Sequence, residues 1–284
     1  MNLCVLSEDQ VEFYRGNDYL HAQGVLPGDL LQLGRKILAR WADDQIAKWY
    51  EEGRLTETLH TIDFEHRLVQ AWNQAGRPRD YGSPRRDLLS PYMYEFVTHP
   101  SLLDVASDLL GTAEVSVHGI FNARPKLPDQ SWSTTPWHQD GQYYRDSAGA
   151  EVISMWIPMQ PVNKHSSCLQ VAPGTFGREL REAVMDDVYR NIGLSEADSE
   201  SLQPITVEME PGDVLCFNQF VPHRALPNTS DAVRWSLDVR YEPTDRATET
   251  GKKQGFRARS RDPRNVVTYQ QWLRQWEGIP PGAY

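Results

Sequence analysis

Up to about residue 112 the apolar positions of the chain recur at helical spacing, and after that they alternate. Ser7-Glu-Asp-Gln10 has the form of a capping box and predicts a helix running through Val11 and Tyr14. Gly16 to Gly24 reads as a turn followed by a short strand. A second helix begins near Asp29, where Leu30, Leu33, Ile37, Leu38 and Trp41 fall on one face. The polar stretch from Asp43 to Arg67 keeps a helical tendency, with Leu55, Leu59, Ile62 and Leu68 as weak apolar markers. Arg77 to Arg86 is a solvated loop by its Pro and Gly punctuation. Ser101-Leu-Leu-Asp104 opens a capped helix that buries Leu102, Val105, Ala106 and Leu109 and stops at Gly111.

From Ala113 the period is two. Val115, Val117 and Gly119 form one strand face, Ile120 to Arg124 continues it, and Pro125 to Thr134 is a loop. Val152–Ile157, Cys168–Ala172, Ile205–Met209, Val214–Phe217 and Val233–Tyr241 give five more strands, most of them bounded by Pro, Gly or Asp. Pro211-Gly-Asp213 is expected to turn two of these into a hairpin, and the polar segment from Arg178 to Ser201 to form an inserted helix. No repeat, low-complexity tract or linker interrupts this order. It predicts one domain over residues 1–284: a helical part (1–112), a strand-rich core (113–245) and a tail (246–284). The fold class is mainly β with flanking helices, a double-stranded β-helix or cupin-like jelly-roll barrel with helices on one sheet.

Composition narrows the classes of function. A net charge of −10 and a pI near 5.3 exclude a broadly basic nucleic-acid face. No apolar run approaches the ~18 residues needed to cross a bilayer, and the start Met1-Asn-Leu-Cys lacks a signal-peptide pattern, so a cytoplasmic protein without a membrane partner is expected. Three dispersed cysteines, Cys4, Cys168 and Cys216, argue against a disulfide framework or a zinc cluster.

The chemistry is concentrated in Thr135-Pro-Trp-His-Gln-Asp140. In an extended segment His138 and Asp140 share a face, which offers an imidazole and a carboxylate to one metal. His223, 85 residues on, is a candidate third ligand at a strand end. Two histidines and one carboxylate on one face of an iron leave the opposite face open for oxygen and a co-substrate. Arg234 follows His223 by eleven residues and shares a strand face with Ser236 and Asp238. A guanidinium pointing into a barrel requires an anion, and its planar fork suits a carboxylate. A dicarboxylate chelating the metal by its keto-acid end would place its far carboxylate on Arg234, with Ser236 as a second donor.

These residues lie in motifs that resemble the phytanoyl-CoA dioxygenase (PhyH) family of Fe(II)/2-oxoglutarate-dependent oxygenases. The resemblance rests on Pro136-Trp-His-Gln-Asp140 with Tyr143 and Tyr144, Ser154-Met-Trp-Ile-Pro158, Cys168 to Gly174, Glu210-Pro-Gly-Asp213, and His223 with Pro227-Asn-Thr-Ser230 and Arg234. The tail motifs Phe256 to Arg261 and Gln271 to Trp276 are similar to bacterial members. Lys164-His-Ser-Ser167 departs from the Glu-Asn-Gly that the family usually carries before Cys-Leu, which bears on substrate rather than on iron. The resemblance implies Fe(II) on His138, Asp140 and His223, with 2-oxoglutarate and O2 as co-substrates. It also implies that Trp156 and Gln139 line the co-substrate pocket, although an extended segment turns Gln139 to the side opposite its two flanking ligands. Halogenases related to the family replace the carboxylate ligand with a small residue, so Asp140 implies hydroxylation or a related oxidation such as desaturation, ring formation or epimerisation, with succinate and CO2 released.

Phe121, Arg124, Tyr143 and Tyr144 are the candidates for contact with a small-molecule substrate, and His165 is a further one. A cupin-like metal-binding protein or isomerase without 2-oxoglutarate turnover is the alternative. It would have no need of an anion anchor at Arg234. The motifs mark iron and co-substrate and leave the substrate itself open.

Overall fold

The chain enters through α1 (Glu8–Asn17), fixed by the capping box in which Gln10 N–H donates to Ser7 Oγ and Ser7 N–H to Gln10 Oε1. This computed structural model describes residues 3–79, 87–129, 135–143, 149–186 and 191–278. Strand β1 (Tyr19–Ala22) leads into α2 (Gly28–Glu51), which buries Leu30, Ile37, Leu38, Trp41, Ile46 and Trp49 along one stripe. The helical tendency expected up to Arg67 is not realised as one element. Glu52 caps α2, Gly53 turns away in the left-handed region at φ 71°, and turns occupy the chain until α3 (Arg67–Gln74). Ser90 and Pro91 start α4 (Pro91–Val97), a helix that the apolar spacing did not announce. In α5 (Pro100–Leu110) the cap is His99, because Pro100 occupies the first helical position, where its missing N–H has no cost; Gly111 ends the helix at φ 67° as expected.

The helices lie on one face of a large sheet. Its strands are β1, β2 (Val115–Val117), β3 (Asn122–Ala123), β4 (Ile153–Pro158), β9 (Val214–Asn218), β11 (Ser236–Pro243) and β12 (Phe256–Arg259). The order is β1-β9-β4-β11-β2-β12, with β3 also paired to β11. A second, smaller sheet runs β10-β5-β8, formed by β5 (Leu169–Val171), β8 (Ile205–Val207) and β10 (His223–Ala225).

Alternation along the strands divides the interior in two. Met155, Ile157, Val214, Cys216, Trp235, Leu237, Val239 and Tyr241 face the helices in the main core. Each large aliphatic side chain buried there contributes about 1.5–3 kcal/mol. The opposite parity, Trp156, Leu215 and Phe217, packs with Leu169, Val171, Val207 and Ala225 of the small sheet. The molecule is therefore mainly β with helices on one side, and its two larger sheets face each other.

Two expectations are corrected by the topology. Pro211 to Asp213 does not close a hairpin: it hands the chain from β8 in the small sheet to β9 in the large one, through Gly212 at φ 105°. The segment from Arg178 to Ser201 is not one helix. It carries a hairpin of β6 (Val184–Asp186) and β7 (Asn191–Gly193), then only the short α6 (Glu196–Glu200) capped by Ser195. Its polar residues are solvated by exposure, which a hairpin supplies as well as a helix. Beyond β11, α7 (Glu249–Gln254) and α8 (Tyr269–Gln275) flank β12, so the tail completes the sheet edge.

Candidate functional site

His138 and His223 meet as a backbone pair. Each amide donates to the other's carbonyl, at 3.1 Å from His138 and 2.9 Å from His223, and the rings lie 4.2 Å apart by centroid. This bridge explains how residues 85 positions apart come together. Asp140 reaches the same point by a different route from the one expected. The segment is not extended through Asp140, which opens a 3-10 turn (Asp140–Tyr143) that brings its carboxylate back over the imidazoles. Asp140 Oδ1 lies 3.9 Å from His138 Nε2 and 3.8 Å from His223 Nε2. Among the described residues these three form a cluster with the spacing of a metal site, with one ligand atom from each within 4.8 Å of the others.

Both imidazoles are oriented for ligation. His138 Nδ1 faces Pro136 O at 2.9 Å and His223 Nδ1 faces Val221 O at 3.0 Å. A carbonyl only accepts, so Nδ1 carries the proton and Nε2 keeps its lone pair. Burial, followed by the neighbouring His223, pushes the His138 imidazole down to about 3, and burial lowers His223 too. Burial alone would raise the Asp140 carboxyl, but Arg240, the two histidines and Ser154 overcome it and hold the group well below the usual range. Neutral rings and an ionised carboxylate are the states a divalent cation requires.

Arg240 is the main residue that sequence reasoning missed. Its Nε and Nη2 donate to Asp140 Oδ2 at 3.0 and 2.8 Å, and Nη2 also to Oδ1 at 3.0 Å. Ser154 Oγ donates to Oδ2 as well. Oδ2 is thus held by the protein, while Oδ1 is the oxygen turned to the histidines. Arg240 continues the series Arg234, Ser236, Asp238 at period two, so alternation carried one step further would have found it.

The same inner face holds the anion candidate. Arg234 is buried, with its guanidinium 5.1 Å over the Trp156 ring, and its Nη1 donates to Ser236 Oγ. Arg234 Nε is buried without a hydrogen-bond partner. Burial, then the charge of Arg124, lowers Arg234 to about 9. An orphaned donor on a buried cation, on the strand face that also carries Arg240, the partner of Asp140, fits a bound carboxylate. Trp156 and Ser236 are thus the side-chain neighbours of Arg234 on this inner face.

Gln139 does not. Its Nε2 donates to Glu179 O and Phe220 O, and its Oε1 accepts from Arg181 N, so the amide ties three loops together on the side away from the ligands. Phe121 is also displaced from the pocket. It packs against Trp272 and Trp276 at 5.7 and 5.9 Å in the helix-side core, because its parity is that of core residue Ala123 and opposite to that of Arg124. Arg124 is exposed at the rim of the site, with Nε 3.2 Å from Asp238 Oδ2. Tyr143 closes the 3-10 turn with its ring edge-on to His138 at 5.8 Å, and its hydroxyl donates to Asn191 Oδ1 at 3.0 Å in β7. Tyr144 lies outside the described residues, as does most of the arginine-rich loop up to Arg86. His165 is exposed in the turn that departs from the family pattern. At its end Ser167 stands at φ 63°, where the family has glycine, and donates from Oγ to Leu226 O.

A probable phytanoyl-CoA dioxygenase from Caenorhabditis elegans is 24% identical over 251 residues, 85% of this chain and 77% of that protein. A 1-deoxypentalenic acid 11-beta-hydroxylase from Streptomyces arenae is 33% identical over 161 residues, spanning 51% of this chain and 55% of that protein. Among solved structures the epimerase SnoN, in complex with Fe3+, alpha ketoglutarate and nogalamycin RO, shares the fold with a TM-score of 0.53 at 17% identity, over 88% of this chain and 85% of that one. The family model for phytanoyl-CoA dioxygenase (PhyH) matches residues 67–236, more than half of the sequence, and the chain belongs to that family.

Proposed function

We propose that this protein is an Fe(II)/2-oxoglutarate-dependent dioxygenase that hydroxylates an aliphatic C–H bond of a small metabolite. The observation that carries the reading is the convergence of His138, Asp140 and His223 on one point, with the buried, incompletely bonded Arg234 on the same wall. The donor set is the two-histidine, one-carboxylate type that suits Fe(II) and keeps open positions. When bound, iron with 2-oxoglutarate and O2 supplies an oxidation that yields succinate, CO2 and a hydroxylated product.

The chain's own residues bind, orient and exclude water. Pro136 O and Val221 O fix the Nε2 lone pairs towards the metal position. Arg240 and Ser154 hold Asp140 Oδ2, while Oδ1, which accepts one bond from Arg240, faces the two histidines and would be the oxygen offered to the metal. Arg234 takes the distal carboxylate of 2-oxoglutarate with Ser236, while Trp156 covers the guanidinium face. Arg124 and Tyr143, on the open side of His138, meet the substrate. All three ligands are over 90% buried, which strengthens every charge interaction among them. A metal-binding protein without co-substrate turnover has no use for a buried arginine at this place.

The hydroxylase named among the relatives supports hydroxylation as the outcome, and Asp140 keeps the full carboxylate that such a site needs. The two facing sheets support a jelly-roll barrel, and the core shared by the helices and the large sheet supports one domain for the whole chain. Among the described residues no helix is long and apolar enough to cross a membrane, which fits the cytoplasmic setting proposed here.

The test is succinate formation by iron-loaded protein given 2-oxoglutarate and O2, with His223→Ala as control. Wild type releases succinate and the variant does not. Iron-loaded wild type that consumes no 2-oxoglutarate would overturn the proposal.

A further inference from the structure

Lys126 is placed directly opposite Arg234. Its amide donates to Arg234 O at 2.9 Å and Arg234 N donates to Lys126 O at 3.0 Å, a fully exchanged antiparallel pair. In such a pair the two Cα atoms lie about 5.5 Å apart and the side chains project to the same face. Both side chains are buried, Lys126 at 4% and Arg234 at 2% exposure. Asn228, from the Pro227-Asn-Thr-Ser230 motif, clamps the pair by donating from Nδ2 to Lys126 O at 2.7 Å and to Ala232 O at 2.8 Å. Burial, then Arg234 and then Arg124, pushes the Lys126 ammonium well below its ordinary range.

Two like charges directly opposite each other destabilise a strand pair, and burial magnifies the repulsion. An anion bridging them turns the repulsion into two attractions. A carboxylate has lone-pair sites for a guanidinium fork and an ammonium together.

From this juxtaposition we propose that Lys126 is a second anchor for the distal carboxylate of the dicarboxylate co-substrate, acting with Arg234. The inference rests on the reading of Arg234 given above and extends it to a residue that no motif marked. It makes the pocket selective for a doubly charged 2-oxo acid. A 2-oxo acid that ends in a methyl group leaves both cations facing each other.

The test compares 2-oxoglutarate with 2-oxopentanoate, which has the same length but a terminal methyl group. Binding of each to anaerobic, Fe(II)-loaded protein is measured by calorimetry for wild type, Lys126→Met, Lys126→Gln and Lys126→Arg. The charge-removing variants should bind 2-oxoglutarate roughly 10- to 100-fold more weakly, the range of a charge-assisted hydrogen bond, and 2-oxopentanoate within about threefold of wild type. Lys126→Arg should recover most of the loss. Unchanged 2-oxoglutarate binding in Lys126→Met and Lys126→Gln, or an equal loss for both acids, would overturn the role of Lys126 while leaving Arg234 as anchor. Wild type that binds neither acid would overturn the dioxygenase reading as well.

Discussion

Replacing Arg240 by Met tests how the metal-binding carboxylate is kept ionised. The guanidinium is 4% exposed and gives Asp140 three contacts of 2.8–3.0 Å, so no solvent substitutes for it when it is removed. Asp140, itself 3% exposed, would keep Ser154 as its remaining side-chain donor. Breaking one partner out of a buried pair costs about 3–5 kcal/mol, which is a large fraction of the total stability of an ordinary domain. With Arg240 absent, burial dominates and the carboxyl pKa rises.

The sign of the pH effect follows. In wild type the depressed Asp140 adds stability above its unfolded pKa, and this is lost only as pH falls through the lower folded value. In Arg240→Met the folded pKa moves up, so metal must displace a proton, and each unit by which it exceeds the assay pH weakens binding about tenfold. The assay is urea unfolding of the metal-free and Mn(II)-loaded proteins, with Mn(II) titrations at pH 6 and pH 8. The variant should lose about 3–5 kcal/mol without metal and gain less on metal loading than wild type does, because its affinity is lower. Its affinity should fall steeply from pH 8 to pH 6. A metal-free loss below about 1 kcal/mol, the range of an exposed pair, with the same affinity at both pH values would refute the reasoning.

Two further outcomes follow from residues outside the metal cluster. Glu242, fully buried with Oε2 accepting from Thr248 N at 2.9 Å and Oε1 unpartnered, is raised by burial to about 7. A raised acid stabilises below its unfolded pKa and loses that as pH climbs through the folded value, here about 3 kcal/mol between pH 4.5 and 7. Glu242→Gln should flatten the melting temperature across that window, and an unchanged pH profile would contradict the assignment. Phe121→Ala should cost about 3–5 kcal/mol in chemical denaturation and leave the 2-oxoglutarate affinity within about twofold. A selective loss of affinity would return Phe121 to the pocket.

The helix-to-strand change near residue 113 and most strand positions were legible, because burial on one face writes its period into the sequence. The alternation after Arg234 also gave the face that carries Ser236 and Asp238. What was not legible depended on contacts across the chain. The role of Arg240 needed Asp140 to turn back through a 3-10 turn, and that of Lys126 needed the bridge to Arg234. Gln139 entered the pocket only through the family resemblance, whereas alternation turns it away from the ligands, and its amide bonds Phe220 and the segment at Glu179 and Arg181. The hairpin at Val184 to Gly193 was read as helix because its polar, weakly patterned residues report exposure and not geometry.

The central claim is that one pocket holds Fe(II) and 2-oxoglutarate together, the metal on His138, Asp140 and His223 and the distal carboxylate on Arg234. The most direct measurement is an anaerobic titration of the metal-free protein with Fe(II) and then 2-oxoglutarate, following the visible metal-to-ligand charge-transfer band in wild type and Arg234→Ala. The account predicts a band that saturates in wild type and requires at least about tenfold more 2-oxoglutarate in the variant. Bound iron with no band in either protein, or a band with the same midpoint in both, would contradict it.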